Sequence, residues 1–380
     1  MRSFYIVFVF LLSFISTATT YAQLPLTEYA EVTLLTCGPG DELYSVFGHT
    51  AIRVSDPGRN MDIVYNFGSF DFDTPNFYLK FVKGDLQYFV SVSSYTDFIN
   101  EYEYLERTVY EQHLNLLPEQ KQQIADELNT ILLSDRRFYT YKFIDRNCTT
   151  MVADIIADNI ESEISTDVSD KGKTNREILF GYLDNHFYEN LGISLMFGYK
   201  TDKLSDKLFL PQELMEGVAN TTIKSKPLAK PAITVNEGYT GERQTSFWNS
   251  YYSFVLLVLL LLYLTKYPTI LLSYLTLSGL LGIFFLTVGF YSFHDEITQN
   301  YNALLFSPVF LLLVYFILAH KAKATIMTVY ICLALLLIYI IFILNKPHLF
   351  IMLPLIVLHA VAIFRIVLLQ KKSFIQNKPA

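Results

Sequence analysis

A cysteine and a histidine in the first half of the chain have the types and surroundings of a thiol nucleophile and its base. Cys148 lies in the segment IDRNCTTMVADII, residues 144–156, where an apolar helix is predicted to begin. The first turn of a helix presents unpaired N–H groups and the positive end of the helix dipole, both of which lower a cysteine pKa. A nucleophilic thiol also needs a base within hydrogen-bonding distance.

Three histidines between residues 23 and 245 are candidates for that base: His49, His113 and His186. His49 follows a glycine at the start of a predicted strand, a rigid setting that can direct a side chain. His113 lies in an alternation of polar and apolar residues that any surface strand would have. On residue patterns, His49 is the histidine whose setting best suits a base, and the assignment stays open at this point.

Two other roles for Cys148 remain open on residue patterns alone. Cys37 precedes it in the same exported segment, and a Cys37–Cys148 disulfide is a reasonable alternative in an oxidising compartment. Cys148 could also be an unpaired structural cysteine. Cys332 lies within an apolar run and is interpreted as a small packing residue.

The elements that would position these residues form a mixed α+β domain. Alternating apolar residues and Pro or Gly turns predict the following strands: YAEVTLLTC, HTAIRVSDP, MDIVYNFGSF, LQYFVSVSS and RTVYEQHLNL. Helical spacing predicts a helix in LPEQKQQIADELNTILL and a second one after Asn147, which is a natural N-cap. The second helix therefore begins almost at Cys148.

The N-terminus has the pattern of an export signal. Arg2 precedes an apolar run and a small-residue stretch, so residues 1–22 are predicted to be a cleavable signal peptide. We expect an exported domain over residues 23–223 and a Pro- and Gly-rich linker over 224–245. Acidic residues outnumber basic ones, 36 to 29 over the whole chain, which argues against a nucleic-acid-binding surface.

The remainder of the chain is predicted to be a transmembrane domain, residues 246–370, with a cytoplasmic tail at 371–380. Each of five uncharged apolar runs is about long enough to cross roughly 30 Å of hydrocarbon: 247–265, 267–293, 301–319, 324–344 and 349–364. Lysines then cluster in the inner connections, and the outer connections hold Asp295, Glu296 and Lys346. This asymmetry supports an exported N-terminal domain.

Three segments together resemble a known family. LLTCGPGDELYSVFGHTAIRV, IVYNFGSFDFDTPNFYLKFVKGDLQYFV and YKFIDRNCTTMVADII are similar to the periplasmic domain of the Bacteroidetes lipoprotein N-acyltransferase family. The resemblance covers roughly residues 27 to 200 and extends to FHDEITQNYNALLFSPV in the membrane half. It implies a circularly permuted papain-like fold of the NlpC/P60 and lecithin:retinol acyltransferase type, with Cys148 as nucleophile and His49 as base.

The sequence identifies the third polar residue of such a site less clearly than the cysteine and the histidine. Papain-like sites place a polar side chain behind the histidine to fix its tautomer. Asn66 on the neighbouring predicted strand is our choice, and the alternative is a turn asparagine before Gly68. Arg53 is a candidate for binding a phospholipid head group.

The connection between the second and third apolar runs, SFHDEITQNYNA, lies on the same side as the predicted dyad. Its His294, Asn300 and Asn302 are candidates for binding substrate beneath the exported domain. The alternative is that they are solvated loop residues.

The resemblance implies an acyltransferase in the inner membrane with its catalytic domain in the periplasm. Cys148 would take an acyl chain from a phospholipid as a thioester and pass it to the α-amine of a diacylated lipoprotein, without a metal or cofactor. Two alternatives remain: a membrane-tethered thiol hydrolase or amidase, and a non-catalytic envelope scaffold containing the Cys37–Cys148 disulfide.

Overall fold

The computed structural model describes residues 25–239 and 246–376. Residues 25–239 form what we call the outer domain, and residues 246–376 form the bundle. The predicted signal peptide, 1–22, lies outside the described residues, as does the end of the predicted tail.

The outer domain is built on a seven-stranded antiparallel sheet. Its strands run in the order β6-β4-β3-β2-β1-β5-β9: β1 Glu31–Cys37, β2 His49–Asp56, β3 Met61–Ser69, β4 Gln87–Ser94, β5 Val109–His113, β6 Phe138–Thr140 and β9 Ile233–Asn236. Each of the five predicted strand segments contains one of β1 to β5. The strands form because β-branched and aromatic residues suit pleated surfaces, which are buried on both faces in the central strands β1 and β2.

Helices cover both faces of this sheet. They are α1 Phe77–Lys83, α2 Tyr95–Tyr104, α3 Pro118–Leu132, α4 Cys148–Ile160, α5 Asn175–Phe180, α6 Phe187–Met196 and α7 Pro211–Asn220. Val32, Leu34 and Ile52 pack against α3 and α4, while Leu35 and Ala51 pack against α2 on the opposite face. The two faces separate because consecutive strand residues point to opposite sides. The predicted α+β class is confirmed.

The predicted linker begins too early. A hairpin of β7 Thr222–Ile223 and β8 Lys226–Pro227 occupies the first residues of the predicted linker. Strand β9 follows and pairs with β5 at the edge of the sheet. A four-residue edge strand gives little sequence signal, because its register is set by the neighbouring strand. The described part of this segment therefore belongs to the outer domain.

The bundle contains α8 Tyr251–Leu264, α9 Pro268–Thr287, α10 Asn302–Leu305, α11 Val309–Leu318, α12 Ala322–Ile343 and α13 Leu349–Gln376. Among the described residues, four segments are long and apolar enough to cross a membrane: Pro268–Phe290, Asp295–Leu318, Ala322–Ile343 and Leu349–Gln370.

Four of the five predicted spans coincide with helical segments that are long and apolar enough to cross a membrane. The first apolar helix, α8, has only 14 residues, or about 21 Å at 1.5 Å per residue, which is shorter than a typical hydrocarbon core. Ser250 caps this helix, so helical structure begins at Tyr251 and not at Phe247 as the apolar run suggested.

The outer domain and the bundle are joined by ion pairs and backbone contacts. Lys142 Nζ lies 2.6 Å from Asp295 Oδ2, and Lys346 Nζ lies 2.8 Å from Asp202 Oδ2. Buried Glu296 accepts a hydrogen bond from the Ile144 backbone N–H at 3.1 Å. The three charged residues predicted to lie in outer connections thus contact the outer domain.

Candidate active site

The N-terminus of α4 is fixed by Asn147, as the sequence predicts. Asn147 Oδ1 accepts hydrogen bonds from the N–H groups of Thr149 and Thr150, at 2.8 and 2.9 Å. Its Nδ2 donates to the carbonyls of Phe143 and Phe209. Asn147 is only 3% exposed, so all of these contacts are shielded from water. Cys148 is consequently the first residue of a helix whose start cannot shift easily.

His49 is presented by the start of β2. Gly48 before it has φ +83°, and a Cβ at this position would lie 2.6 Å from the Cys37 carbonyl oxygen. Only glycine tolerates both the backbone angle and the close approach. One residue further on, the hydroxyls of Thr50 and Thr149 are 3.0 Å apart and buried, which ties β2 to α4 beside the dyad.

The surroundings of the half-buried Cys148 thiol favour the thiolate. Burial opposes ionisation. The charge and hydrogen bond of His49, the backbone N–H of Thr50 and the hydroxyl of Thr149 outweigh it, so the pKa of Cys148 is lowered from its ordinary value. The structure therefore brings together the predicted nucleophile and the predicted base.

Asn66 completes the row of polar side chains. Its Oδ1 lies 3.3 Å from His49 Nε2, and because an amide oxygen only accepts, the Nε2–H donates. This leaves Nδ1 of His49 for the thiol. Asn66 pairs with Ala51 and Ser91 inside the sheet, so the interpretation of Asn66 as a turn residue is wrong.

A bulge in β3 makes room for the cysteine. The register of β3 and β4 shifts between Asn66 and Ser69, and Gly68 within the bulge has φ +89°. A Cβ on Gly68 would lie 3.7 Å from Cys148 Cβ and 3.9 Å from Tyr139 Oη. The bulge therefore lets the helix start approach the sheet closely.

Cys37 is not bridged to Cys148. All three cysteines of the chain lie within the described residues and are free thiols. Cys37 packs with α2 on one face of the sheet, whereas Cys148 packs with the core on the other. Burial raises the pKa of Cys37 to about 12, against a smaller opposing effect of its hydrogen bond with Tyr102. Cys37 is therefore an inert structural thiol.

Tyr139 is a polar neighbour of the thiol that the sequence did not reveal. It is 2% exposed, and among the described residues its hydroxyl has no hydrogen-bond partner of normal geometry, although the Gly68 backbone is near. Burial, and then the proximity of Cys148, raise the pKa of Tyr139, so it stays protonated. A buried donor beside the sulfur is suited to stabilise an oxyanion. In the aromatic stretch FYTYKF nothing distinguishes it from its neighbours.

Arg53 is not brought to the dyad. It lies four residues along β2 from His49, about 13 Å at strand spacing. Its guanidinium forms ion pairs with Asp62 at 2.7 Å and Glu111 at 2.5 Å and lies over the Tyr95 ring. Arg53 thus fastens α2 to the sheet, because both of its ion-pair partners and the Tyr95 ring surround its guanidinium group. This arrangement does not support the predicted role of Arg53 in substrate binding.

The polar residues of the 292–303 connection dock the bundle onto the outer domain. Asn300 Nδ2 donates to the Leu195 carbonyl at 2.7 Å, and Asn302 Nδ2 donates to the Ser194 carbonyl at 2.9 Å. Both therefore cap the C-terminal end of α6. His294 Nε2 lies 2.8 Å from the Phe81 carbonyl of α1. Asn300 and Asn302 are thus buried docking residues and not solvated loop residues, while half-buried His294 contacts α1, and a role of the three in binding substrate stays a prediction.

Within 25–239 and 246–376 no group of three or more His, Cys, Asp or Glu side chains is arranged to hold a metal ion.

Residues 17–179 match the family model of the Lnb N-terminal periplasmic domain. The matched segment contains Cys148, His49, Asn66 and Tyr139. No curated protein and no solved structure matches the chain. The protein is therefore a membrane protein whose N-terminal part is similar to the Lnb periplasmic domain.

Proposed function

We propose that this protein is a lipoprotein N-acyltransferase of the inner membrane with its outer domain in the periplasm. The observation that carries the proposal is the half-buried Cys148 thiol, which has a lowered pKa beside His49 in a domain fastened to membrane helices. A thiol in this setting can form a thioester. The bundle keeps the domain where lipid-borne donors and acceptors are found.

In the first half-reaction His49 Nδ1 takes the proton of the Cys148 thiol. The thiolate attacks the carbonyl carbon of a phospholipid acyl ester, and a C–S bond forms. The ester C–O bond then breaks as His49 returns its proton to the leaving oxygen, which releases a lysophospholipid. Asn66 holds the imidazole in the tautomer that this transfer needs.

In the second half-reaction the α-amine of a diacylated lipoprotein attacks the thioester. Its proton passes to His49, the amide C–N bond forms and the C–S bond breaks. The proton on His49 then pairs with the regenerated thiolate. The backbone N–H of Cys148 and the hydroxyl of Tyr139 are the donors that we assign to the oxyanion in both halves.

The test uses the full chain in phospholipid vesicles with a synthetic diacylated lipopeptide as acceptor. Mass spectrometry of the lipopeptide is expected to show the mass of one added acyl chain. Cys148→Ala and His49→Gln should each lose the product, while His113→Gln should retain it, because His113 lies on β5 and pairs with Glu31.

Two results would contradict the proposal. Full lipopeptide acylation by Cys148→Ala would reject the nucleophile. Release of free fatty acid by the unaltered chain without any acylated lipopeptide would assign the same dyad to a hydrolase, with water as the acceptor.

A further inference from the structure

Helix α1 exposes an unusual amount of apolar surface for seven residues. Tyr78 is 76% exposed, Leu79 73% and Val82 51%, and Phe72 just before the helix is 61% exposed. No residue of α1 is buried. Contiguous apolar surface of this kind on a domain usually marks an interaction site.

The position of α1 indicates what covers it. The Phe293 N–H and the Ser292 hydroxyl both donate to the Lys83 carbonyl at the C-terminal end of α1, at 2.8 and 3.0 Å. These residues follow the outer end of the span Pro268–Phe290. Phe290 is 89% and Phe293 52% exposed there, as in the aromatic belt at a membrane surface. Helix α1 is thereby placed beside the end of this candidate span.

The charged residues of α1 agree with a position of this helix at a lipid surface. Lys80 and Lys83 are the only charged residues of α1, and Lys83 lies over the Phe293 ring. Lysines can keep their ammonium groups among head groups while their methylene chains lie along apolar surface. Because Lys83 Nζ also lies 2.5 Å from Asp85 Oδ2, this charge is largely balanced, and the apolar surface of α1 suits a zwitterionic lipid surface.

Aromatic rings connect α1 with the thiol. The ring centroids of Phe77 and Phe70 are 5.9 Å apart, those of Phe70 and Tyr88 5.5 Å, and those of Tyr88 and Tyr141 4.7 Å. A Cβ on Gly68 would contact both Tyr141 Cε2, at 3.9 Å, and Cys148 Cβ. We call Phe77, Phe70, Tyr88 and Tyr141 the aromatic row. It runs from α1 to the surroundings of Gly68, where Cys148 also lies.

We propose that α1 and Phe72 insert into the outer leaflet and that an acyl chain of a phospholipid reaches Cys148 along the aromatic row. The delivery of the chain rests on the proposed acyltransferase function, whereas the insertion does not. Phe70, which lies between Phe77 and Tyr88, offers apolar ring surface along which an extended chain can lie after leaving the leaflet.

Insertion is tested with the full chain in phosphatidylcholine nanodiscs. Leu79→Cys in a Cys148→Ser background is labelled with an environment-sensitive fluorophore, and the lipids carry a doxyl quencher on the acyl chain. Tyr29→Cys is the matched control, since it is 66% exposed but lies at the opposite end of β1 from the dyad. We expect strong quenching at position 79 and none at 29. Equal quenching at both positions, or none at 79, overturns the insertion.

Delivery is tested with Leu79→Ser combined with Val82→Ser. Acyl transfer from bilayer phospholipid should fall about tenfold, while alkylation of Cys148 by iodoacetamide and transfer from a water-soluble short-chain acyl ester stay unchanged. Tyr29→Ser should transfer normally. Unchanged transfer from the bilayer by the double variant overturns the delivery route. If the unaltered chain transfers no acyl group, the proposed function fails, and the quenching result still decides the insertion.

Discussion

The sulfur of Cys148 experiences two opposing influences. Burial raises the energy of its anion, whereas the imidazole of His49 and two hydrogen-bond donors lower it, and the second group prevails. Because the Nε2–H of His49 is donated to Asn66, the proton balance of the pair depends on Nδ1 alone. Substitution of single side chains around the sulfur can therefore test the ionisation of Cys148.

The pH dependence of Cys148 alkylation should reveal the effect of His49. In the unaltered chain the midpoint should lie below that of an ordinary cysteine, about 8.5. In His49→Gln the midpoint should lie higher, because the nearby positive charge and hydrogen bond that lower the pKa of Cys148 are lost. The measurement is the iodoacetamide rate between pH 5 and 10 on the full chain in micelles, with His113→Gln as the control. Coinciding profiles would disprove the coupling.

Tyr139→Phe tests the second oxyanion donor. Removal of one such donor typically lowers kcat by about 100-fold or more, and we expect a loss of this order in lipopeptide acylation. The alkylation rate of Cys148 should change little, since alkylation forms no oxyanion. A variant with normal acylation would exclude Tyr139 from the reaction. Tyr182→Phe is the control, because that hydroxyl belongs to a different cluster, near Phe47.

At the scale of elements, α4 is useful to the site only because its first turn is fixed. Asn147→Ala removes two bonds to N–H groups and leaves two carbonyls without their donor. We expect a loss of about 2 kcal/mol in unfolding free energy together with slower alkylation of Cys148. Thr174→Ala, which removes the N-cap of α5, should lower the Tm without altering the alkylation rate. Slower alkylation in both variants would point to general destabilisation.

Helix α7 contains a buried acid, Glu213, that makes the stability of the protein depend on pH. Burial raises the pKa of Glu213 from 4.5 to about 7, although its carboxylate accepts the N–H groups of Leu210 and Phe209. The folded chain then binds more protons than the unfolded chain between pH 4.5 and 7, so stability falls as the pH rises through this window. The maximum effect is about 3 kcal/mol.

Glu213→Gln should remove this contribution, since an amide oxygen can accept the same two bonds without titrating. Thermal unfolding of the full chain in micelles at pH 5 and pH 8 measures it. The difference in Tm between the two pH values should be smaller in the variant. If the Tm of the variant falls as much between pH 5 and pH 8 as that of the unaltered chain, other groups cause the pH dependence.

Local pattern predicted the elements that carry the dyad. Alternation marked β1 to β5, helical spacing marked α3 and α4, and the residue before Cys148 marked the cap. Other features depend on contacts that are distant in sequence. Strand β9 exists because β5 offers an edge, and Tyr139 and Cys148 become neighbours at the bulge of Gly68. Arg53 was misjudged because its partner Glu111 is 58 residues away.

At the scale of the whole molecule, a buried ion network joins the outer domain to the bundle. Arg176 is 0% exposed, and its Nε lies 2.6 Å from Asp202 Oδ1, while Lys346 of the bundle binds the other carboxylate oxygen at 2.8 Å. Arg176 also donates to the Phe197 carbonyl at 2.9 Å. The carboxylate of Asp202 thus links a buried cation of the outer domain to a lysine of the bundle, in addition to the contacts of Asp295, Glu296, Asn300 and Asn302.

Asp202→Ala should destabilise the full chain by about 3–5 kcal/mol, because it leaves the buried guanidinium without a counter-charge. Lys346→Met should cost less, since the pair of Asp202 and Arg176 survives. Thermal unfolding in micelles, followed by circular dichroism, ranks the variants. Equal losses, or a milder effect of Asp202→Ala, would refute this account.

The contacts of Glu296, Asn300 and Asn302 have a practical consequence for anyone wishing to crystallise the outer domain. Cut free at residue 239, it would expose the amide of Ile144, four positions before the nucleophile, and the last carbonyls of α6. Water can replace those partners but cannot hold the loop rigid. A secreted, anchor-free version should therefore fold around its sheet yet present a loosened reactive centre, and structural work will need the intact polypeptide.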